Sequence, residues 1–298
     1  MPAMPEAGAR VSLRYRLPPG EVPPLTDAVG RLLETAPAVL VQTRSGEVVT
    51  IDPADVVAVR VLPEVPVRTG AIRNLEHAAA LAWPGTEQQW VDGWFLRHGG
   101  ATRRANSAVP LRFTSHSEIA AVARWYADRG LPALISAPDR LFRIPGGVPT
   151  DAENLVMASE IGTDTDAAAP IEVSAVPGDR WLELYQRDVP IEVLTAVVDG
   201  QVGFGSLADA AVGRVALTEA PDGTRWAGIS AVRVAESARR QGLARTLCTG
   251  LLGWARQRGA TQAYVQVVVE NTGARSLYES MGFWVHHRSR YVRADALL

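Results

Sequence analysis

The chain reads as an α/β (α+β) protein, a mixed sheet flanked by helices and preceded by a small β-barrel. Three observations predict this. Residues 1–66 hold short strands joined by tight turns. From about Ile171 the pattern alternates strand, strand, helix, strand, helix, strand. Within that stretch a β-branched strand passes through a glycine-containing turn straight into an amphipathic helix.

At 298 residues the chain is too long for one small core and suits two or three domains. It is 47% apolar and 21% charged, the balance of a soluble globular protein. A net charge of −2 offers no basic field for nucleic acid and no strong field for any highly charged partner. All 30 basic residues are Arg, so the chain has no lysine of its own to modify. The single cysteine, Cys248, excludes an intramolecular disulfide and a cysteine metal cluster, and no spacing suggests a metal site. It falls in a helical apolar pattern with Leu247, Leu251 and Trp254, the place of a small buried hydrophobe. Met1 to Arg10 lacks a basic segment followed by an apolar run, and no apolar stretch approaches transmembrane length. The expected location is cytoplasmic.

The first region (1–66) carries strands at Val11–Leu17, Ala38–Thr43, Glu47–Ile51 and Val56–Leu62, with Ser45-Gly46 as a hairpin turn. Asp27 to Glu34 is read as a helical turn. Pro63 to Thr69 reads as a linker. The middle region (70–161) opens with a helix over Ile72–Ala82, ended by Trp83-Pro84. Strands follow around Gly93–Arg97 and Asn106–Leu111. A second helix starts near Ser117, with Ile119, Val122, Ala123 and Tyr126 on one face and Gly130 as its stop. Gly162 to Pro170 is a second linker. The third region (171–298) carries the chemistry.

There the strand Ile229–Val234 leads through Arg239-Arg-Gln-Gly-Leu-Ala244 into a helix from Arg245 to Gly259. Such a strand–turn–helix aims free backbone N–H groups and the positive helix end at one point, a ready anion site. Gly242 lets an anion approach without a Cβ in the way, and Ala244 is small for a similar reason. Arg239, Arg240 and Arg245 add charge suited to phosphates. An ordinary helix start with solvated arginines fits the loop alone. The second half of the region decides between these readings. The alternating strand Ala263–Val269 runs into Glu270-Asn-Thr-Gly-Ala-Arg-Ser-Leu-Tyr-Glu-Ser-Met-Gly-Phe283. In it Asn271 or Thr272 caps a short helix with Ala274, Leu277, Tyr278 and Met281 inward and Gly282 as its stop.

These two segments resemble the signature of the GNAT superfamily of acyl-CoA-dependent N-acyltransferases. Arg239-Arg-Gln-Gly-Leu-Ala244 matches the pyrophosphate loop, and Asn271-Thr-Gly-Ala-Arg-Ser-Leu-Tyr278 with Gly282-Phe283 matches the Asn-x-x-Ala-x-x-Leu-Tyr segment. The match covers about Glu172 to Arg293. The whole layout also resembles an actinobacterial-type group with an N-terminal barrel and a degenerate GNAT-like middle region, on Trp90–Leu96 and Arg104-Ala-Asn-Ser107. The resemblance implies acetyl-CoA as acyl donor. Its pantetheine arm would lie along Val232, Arg233 and Val234. Its pyrophosphate would lie on Gln241, Gly242, Leu243 and Ala244, with Arg239, Arg240 and Arg245 around it and Asn271 and Ala274 on the far side.

By the same resemblance Tyr278 lies near the cofactor sulfur and acts as general acid for the leaving thiolate. Some members of the family place a Glu where this chain has Gln266, which cannot accept a proton at neutral pH. Asp209, Glu219, Asp222, an ordered water or a group from the middle region then stand as alternative bases, or the acceptor amine has a low pKa and needs little help. Adjacent on a strand, His286 and His287 are expected to face opposite sides, and His98 and His116 to sit in loops. The implied reaction is acetyl transfer to an amine of a small molecule or peptide. A transferase of another acyl group, and a non-catalytic acyl-CoA-binding regulator, are the competing readings.

Overall fold

A computed structural model describes residues 4–18, 20–43, 46–61, 67–100, 102–163 and 171–298. The linkers expected at 63–69 and 162–170, and Ser45 of the expected turn, fall largely outside these residues. The chain divides into two compact units, 1–66 and 67–298.

The first unit is one antiparallel sheet of β1 (Arg10–Arg16), β2 (Leu25–Glu34), β3 (Val39–Thr43), β4 (Val48–Ile51) and β5 (Val56–Val61), in the order β4-β3-β2-β1-β5. All five strands contribute to one buried cluster, including Val11, Leu13, Ala28, Leu32, Val39, Val41, Ile51 and Val56. The helical turn expected over Asp27–Glu34 is instead the core of β2, paired with both β1 and β3. Its buried residues Ala28 and Leu32 are four apart, a spacing that puts side chains on one face of a strand as well as of a helix. Cross-strand pairing, unseen locally, selects the strand.

The second unit opens with α1 (Thr69–Ala82), followed by β6 (Glu87–Val91), β7 (Trp94–His98) and β8 (Val109–Pro110) in a small sheet of their own. Next come α2 (Ile119–Ala127), β9 (Leu134–Pro138), β10 (Asp151–Glu160), β11 (Glu172–Ser174), α3 (Asp179–Tyr185), α4 (Ile191–Thr195), β12 (Gln201–Leu207) and β13 (Ala211–Glu219). The chain closes with β14 (Arg225–Val234), α5 (Leu243–Arg256), β15 (Gln262–Val268), α6 (Thr272–Ser280) and β16 (Trp284–Arg293). Of the strand expected over Asn106–Leu111 only Val109–Pro110 pairs as β8, because Asn106 spends its side chain tying the preceding loop.

One eight-stranded sheet runs β11-β12-β13-β14-β15-β10-β16-β9. Strand β10, from the middle segment, lies antiparallel between β15 and β16, so the middle and last segments share one sheet. Alternation along the strands sorts side chains to two faces. One face packs α5 through Leu247, Leu251, Val265, Val267 and Phe283. The other packs α1 through Leu75, Ala78, Val156, Ala158, Trp226 and Tyr264. Among the described residues no helix is long and apolar enough to cross a membrane.

Candidate active site

The site begins where two neighbouring strands part. β14 and β15 are parallel and pair only over Trp226↔Gln262, Ala227↔Ala263 and Gly228↔Tyr264. Both continue beyond that point, to Val234 and Val268, without pairing to each other. On its other side β14 stays with β13, but the register shifts between Val212 and Arg214, and Ala231 takes a left-handed φ of 55°. A β-bulge of this kind bends the strand and re-aims its backbone. The β15-facing N–H and C=O groups of Val232 to Val234 are thereby left for an extended ligand to pair with.

The loop that follows is built to receive an anion. Arg240 and Gly242 both take positive φ, 60° and 79°. Gly242 is the N-cap of α5, and no side chain caps that helix. Its first-turn N–H groups therefore point outward with the positive end of the helix behind them. A Cβ at Gly242 would meet no atom within 4 Å, so glycine serves the left-handed backbone and leaves the approach open.

A cleft of about 610 Å³ lies over this loop. Its lining includes Val232, Arg233, Val234, Arg239, Arg240, Gly242, Leu243, Ala244, Arg245, Asn271 and Ala274, with Ala238, Gly273 and Leu277 besides. Of the residues expected at the site, Gln241 and Tyr278 are absent from that lining. Asn271 caps α6, its Oδ1 accepting from Ala274 N–H at 3.1 Å. Arg245 donates to Ser280 Oγ at 2.6 Å and its carbonyl at 2.9 Å, which ties the start of α5 to the end of α6. Arg233 donates to Gln186 Oε1 at 2.8 Å.

Tyr278 sits behind the cleft wall. It is buried, its ring is edge-on to Phe283, and its hydroxyl donates to Cys248. Burial, with Cys248 beside it, pushes the phenol well above its usual range, and burial pushes the Cys248 thiol up to about 12. Both groups hold their protons at neutral pH. None of the three carboxylates weighed as bases lines the cleft. Asp209 is exposed and paired with Arg180 at 3.1 Å. Glu219 and Asp222 belong to the turn between β13 and β14, at the paired end of β14 and away from the splay.

The α1 face of the sheet, opposite α5, carries polar residues that local sequence patterns did not single out. Glu76 of α1 is buried and accepts from His287 Nε2 at 2.7 Å, while His287 Nδ1 lies 2.8 Å from His286 Nδ1. The expectation that the two histidines face opposite sides is corrected here. β16 slips register against β10 next to them, and this irregularity brings the two rings together, 5.1 Å apart. Burial, then the neighbouring His287 and Arg140, pulls His286 down to about 3. His98 holds Asn106, and His116 stacks on Phe142.

Arg214, in the middle of β13, is wholly buried and donates to the carbonyls of Leu194, Ala82 and Ala196 at 2.6, 2.9 and 3.0 Å. Burial lowers it to about 9. The one sequence signal for it was a charge inside an otherwise apolar strand, Ala211–Leu217.

A bulged strand splayed from its parallel neighbour, with an uncapped helix start after it, defines an acetyltransferase of the GNAT fold. A solved GCN5-related N-acetyltransferase from Kribbella flavida shares this fold, with a TM-score of 0.52 and 15% identity, covering 76% of this chain and 96% of that one. Two family profiles match, "Probable histone acetyltransferase Rv0428c C-terminal" over residues 69–292 and "Rv0428c N-terminal Sm-like domain" over residues 5–60. The chain belongs to that family of GNAT acetyltransferases. It is 47% identical to the "Probable histone acetyltransferase Rv0428c" of Mycobacterium tuberculosis, over 100% of this chain and 98% of that protein. It is 24% identical to the "Uncharacterized N-acetyltransferase YobR" of Bacillus subtilis, over 71% of this chain and 94% of that protein.

Proposed function

We propose that the protein transfers the acetyl group of acetyl-CoA to an amine of a small molecule or peptide. One observation carries this reading: the open edge of β14 and the uncapped start of α5 border one cleft. An extended amide-bearing arm suits the first, and a pyrophosphate suits the second. Arg239 and Arg240 supply charge beside the phosphates, and Asn271, held by its own capping bond, closes the opposite wall.

Transfer needs an unprotonated amine at the thioester carbon, a donor for the developing oxyanion and a proton for the leaving thiolate. The splay frees the far end of β14 at the cleft, where the thioester would meet the amine. Tyr278 keeps its proton at neutral pH and remains the proposed acid. The name of the mycobacterial relative supports a protein amine as one class of acceptor.

The test is calorimetric titration with acetyl-CoA of the wild type and of Gly242→Glu. Micromolar binding that is lost in the variant is the expected result. Equal binding by both proteins overturns the cofactor placement. Binding without turnover on any amine gives the lead to a non-catalytic acyl-CoA sensor.

A further inference from the structure

The α1 face above the splay holds more positive charge than its surroundings neutralise. Arg97 and Arg214 are both buried, and each is held by carbonyl or hydroxyl oxygens with no carboxylate. Arg104 lies nearby, half-buried, its guanidinium 5.6 Å from the ring centre of Trp83, whose other contact is the Arg214 guanidinium at 4.4 Å. Among the described residues the Arg104 guanidinium makes no hydrogen bond or ion pair. The carboxylate that faces this cluster is Glu76, and it is engaged with His287. Two buried guanidinium groups and the half-buried one of Arg104 therefore gather here with no carboxylate of their own. Taking an unpaired charge out of water is unfavourable, so such an excess calls for an anion.

Three buried tyrosines feel the charge of Arg104: Tyr185 of α3, Tyr264 of β15 and Tyr291 of β16. None of their hydroxyls has a hydrogen-bond partner among the described residues. Tyr264 marks the throat of the site. It is the last β15 residue paired with β14, and its hydroxyl lies so close over Gly228 that a Cβ there would come within 2.3 Å of it. Hydroxyl and guanidinium donors thus gather beside the point where β14 and β15 part.

The loop that presents Arg104 is fixed in advance. Asn106 Nδ2 donates to the carbonyls of Gly99, Gly100 and Thr102, and its Oδ1 accepts from Gly99 N–H at 3.0 Å and faces His98 Nδ1 at 2.9 Å. A clamped loop loses little entropy when a ligand arrives. Arginine with flanking hydroxyls matches a carboxylate in shape as well as charge.

We propose that Arg104 binds a carboxylate of the acceptor, so that the acceptor is an amine bearing a carboxylate close to its reacting nitrogen. This rests on the acetyl-transfer reading and narrows its acceptor class. The test uses the full chain saturated with CoA, which permits binding but no turnover. Free L-amino acids and their carboxamides are titrated by calorimetry into the wild type, Arg104→Gln and Arg104→Lys. At least one acid is expected to bind tenfold or more tightly than its amide. That preference falls to about one in Arg104→Gln and is partly kept in Arg104→Lys, while CoA affinity is the same in all three. Acid and amide binding equally, neither binding, or a preference that survives Arg104→Gln each overturns the proposal. So does transfer to a lysine peptide at a rate indifferent to Arg104. Failure of the underlying reading is distinct, because CoA itself then does not bind.

Discussion

Glu76 and His287, 211 residues apart in the chain, meet at 2.7 Å with their side chains 4% and 1% exposed. The pair joins the middle of α1 to the middle of β16 across the face of the sheet. The His287 ring bridges the carboxylate through Nε2 and His286 through Nδ1, the latter at 2.8 Å.

Truncating one member leaves a buried polar atom without its partner. Glu76→Ala is expected to cost about 2 kcal/mol or more, since a cavity adds to the lost bond. The thermal midpoint should fall by several degrees. Urea denaturation of both proteins measures this, and unchanged midpoints would mean that α1 is held by its apolar face alone.

Acid stability follows from His286. Its folded-state pKa, about 3, lies below the 6.5 of the unfolded chain. Between those values the unfolded chain binds more protons, so stability rises with pH over the window and is lost as pH falls through it. Melting temperatures from pH 7 to pH 4 should decline, and His286→Gln should make the decline shallower. A slope identical to wild type would remove His286 as a cause. His77, also held below its usual value by burial and Arg112, contributes in the same direction and remains in the variant.

The cleft between β14 and α5 was legible because the features that build it are local. A left-handed glycine before a helix, small residues after it and a capping Asn three residues before Ala274 all sit within short stretches of chain. The α1 face was not legible, because Glu76, Arg104, Arg214, Tyr264 and His287 come from five distant segments and meet only in the fold. Two local expectations failed for the same reason. Ala28 and Leu32 fit either periodicity until β1 and β3 pair around them. His286 and His287 share a side only because β16 slips register against β10. Neither β10 itself nor its place between β15 and β16 was among the expected strands, since its pairing partners lie more than a hundred residues on.

Cys248 gives a direct reading of the core. It is fully buried, and burial with a thiol pKa of about 12 leaves almost no thiolate at pH 8. A colourless-to-coloured thiol reagent should therefore react with no equivalent of the folded protein and one equivalent in denaturant. Fast labelling of the native chain would show that the α5–α6 layer opens readily. Tyr278→Phe, which removes the hydroxyl that donates to the sulfur, should speed that labelling without changing its stoichiometry.

Gly228 and Tyr264 set the width of the throat between β14 and β15. With a Cβ placed at Gly228, the Tyr264 hydroxyl would lie 2.3 Å away and its ring carbon Cζ 2.5 Å away. Gly228→Ala must therefore push the ring aside, at a cost of about 1–3 kcal/mol for overpacking. In a Tyr264→Leu background there is no ring to displace, so adding Gly228→Ala should cost far less than it does alone. A double-mutant cycle in urea reads this coupling, and additive costs would disprove the contact. The functional signature is separable from the stability one. Gly228 lies on the paired part of β14, below the cofactor cleft, so acetyl-CoA affinity should hold while the acceptor KM rises.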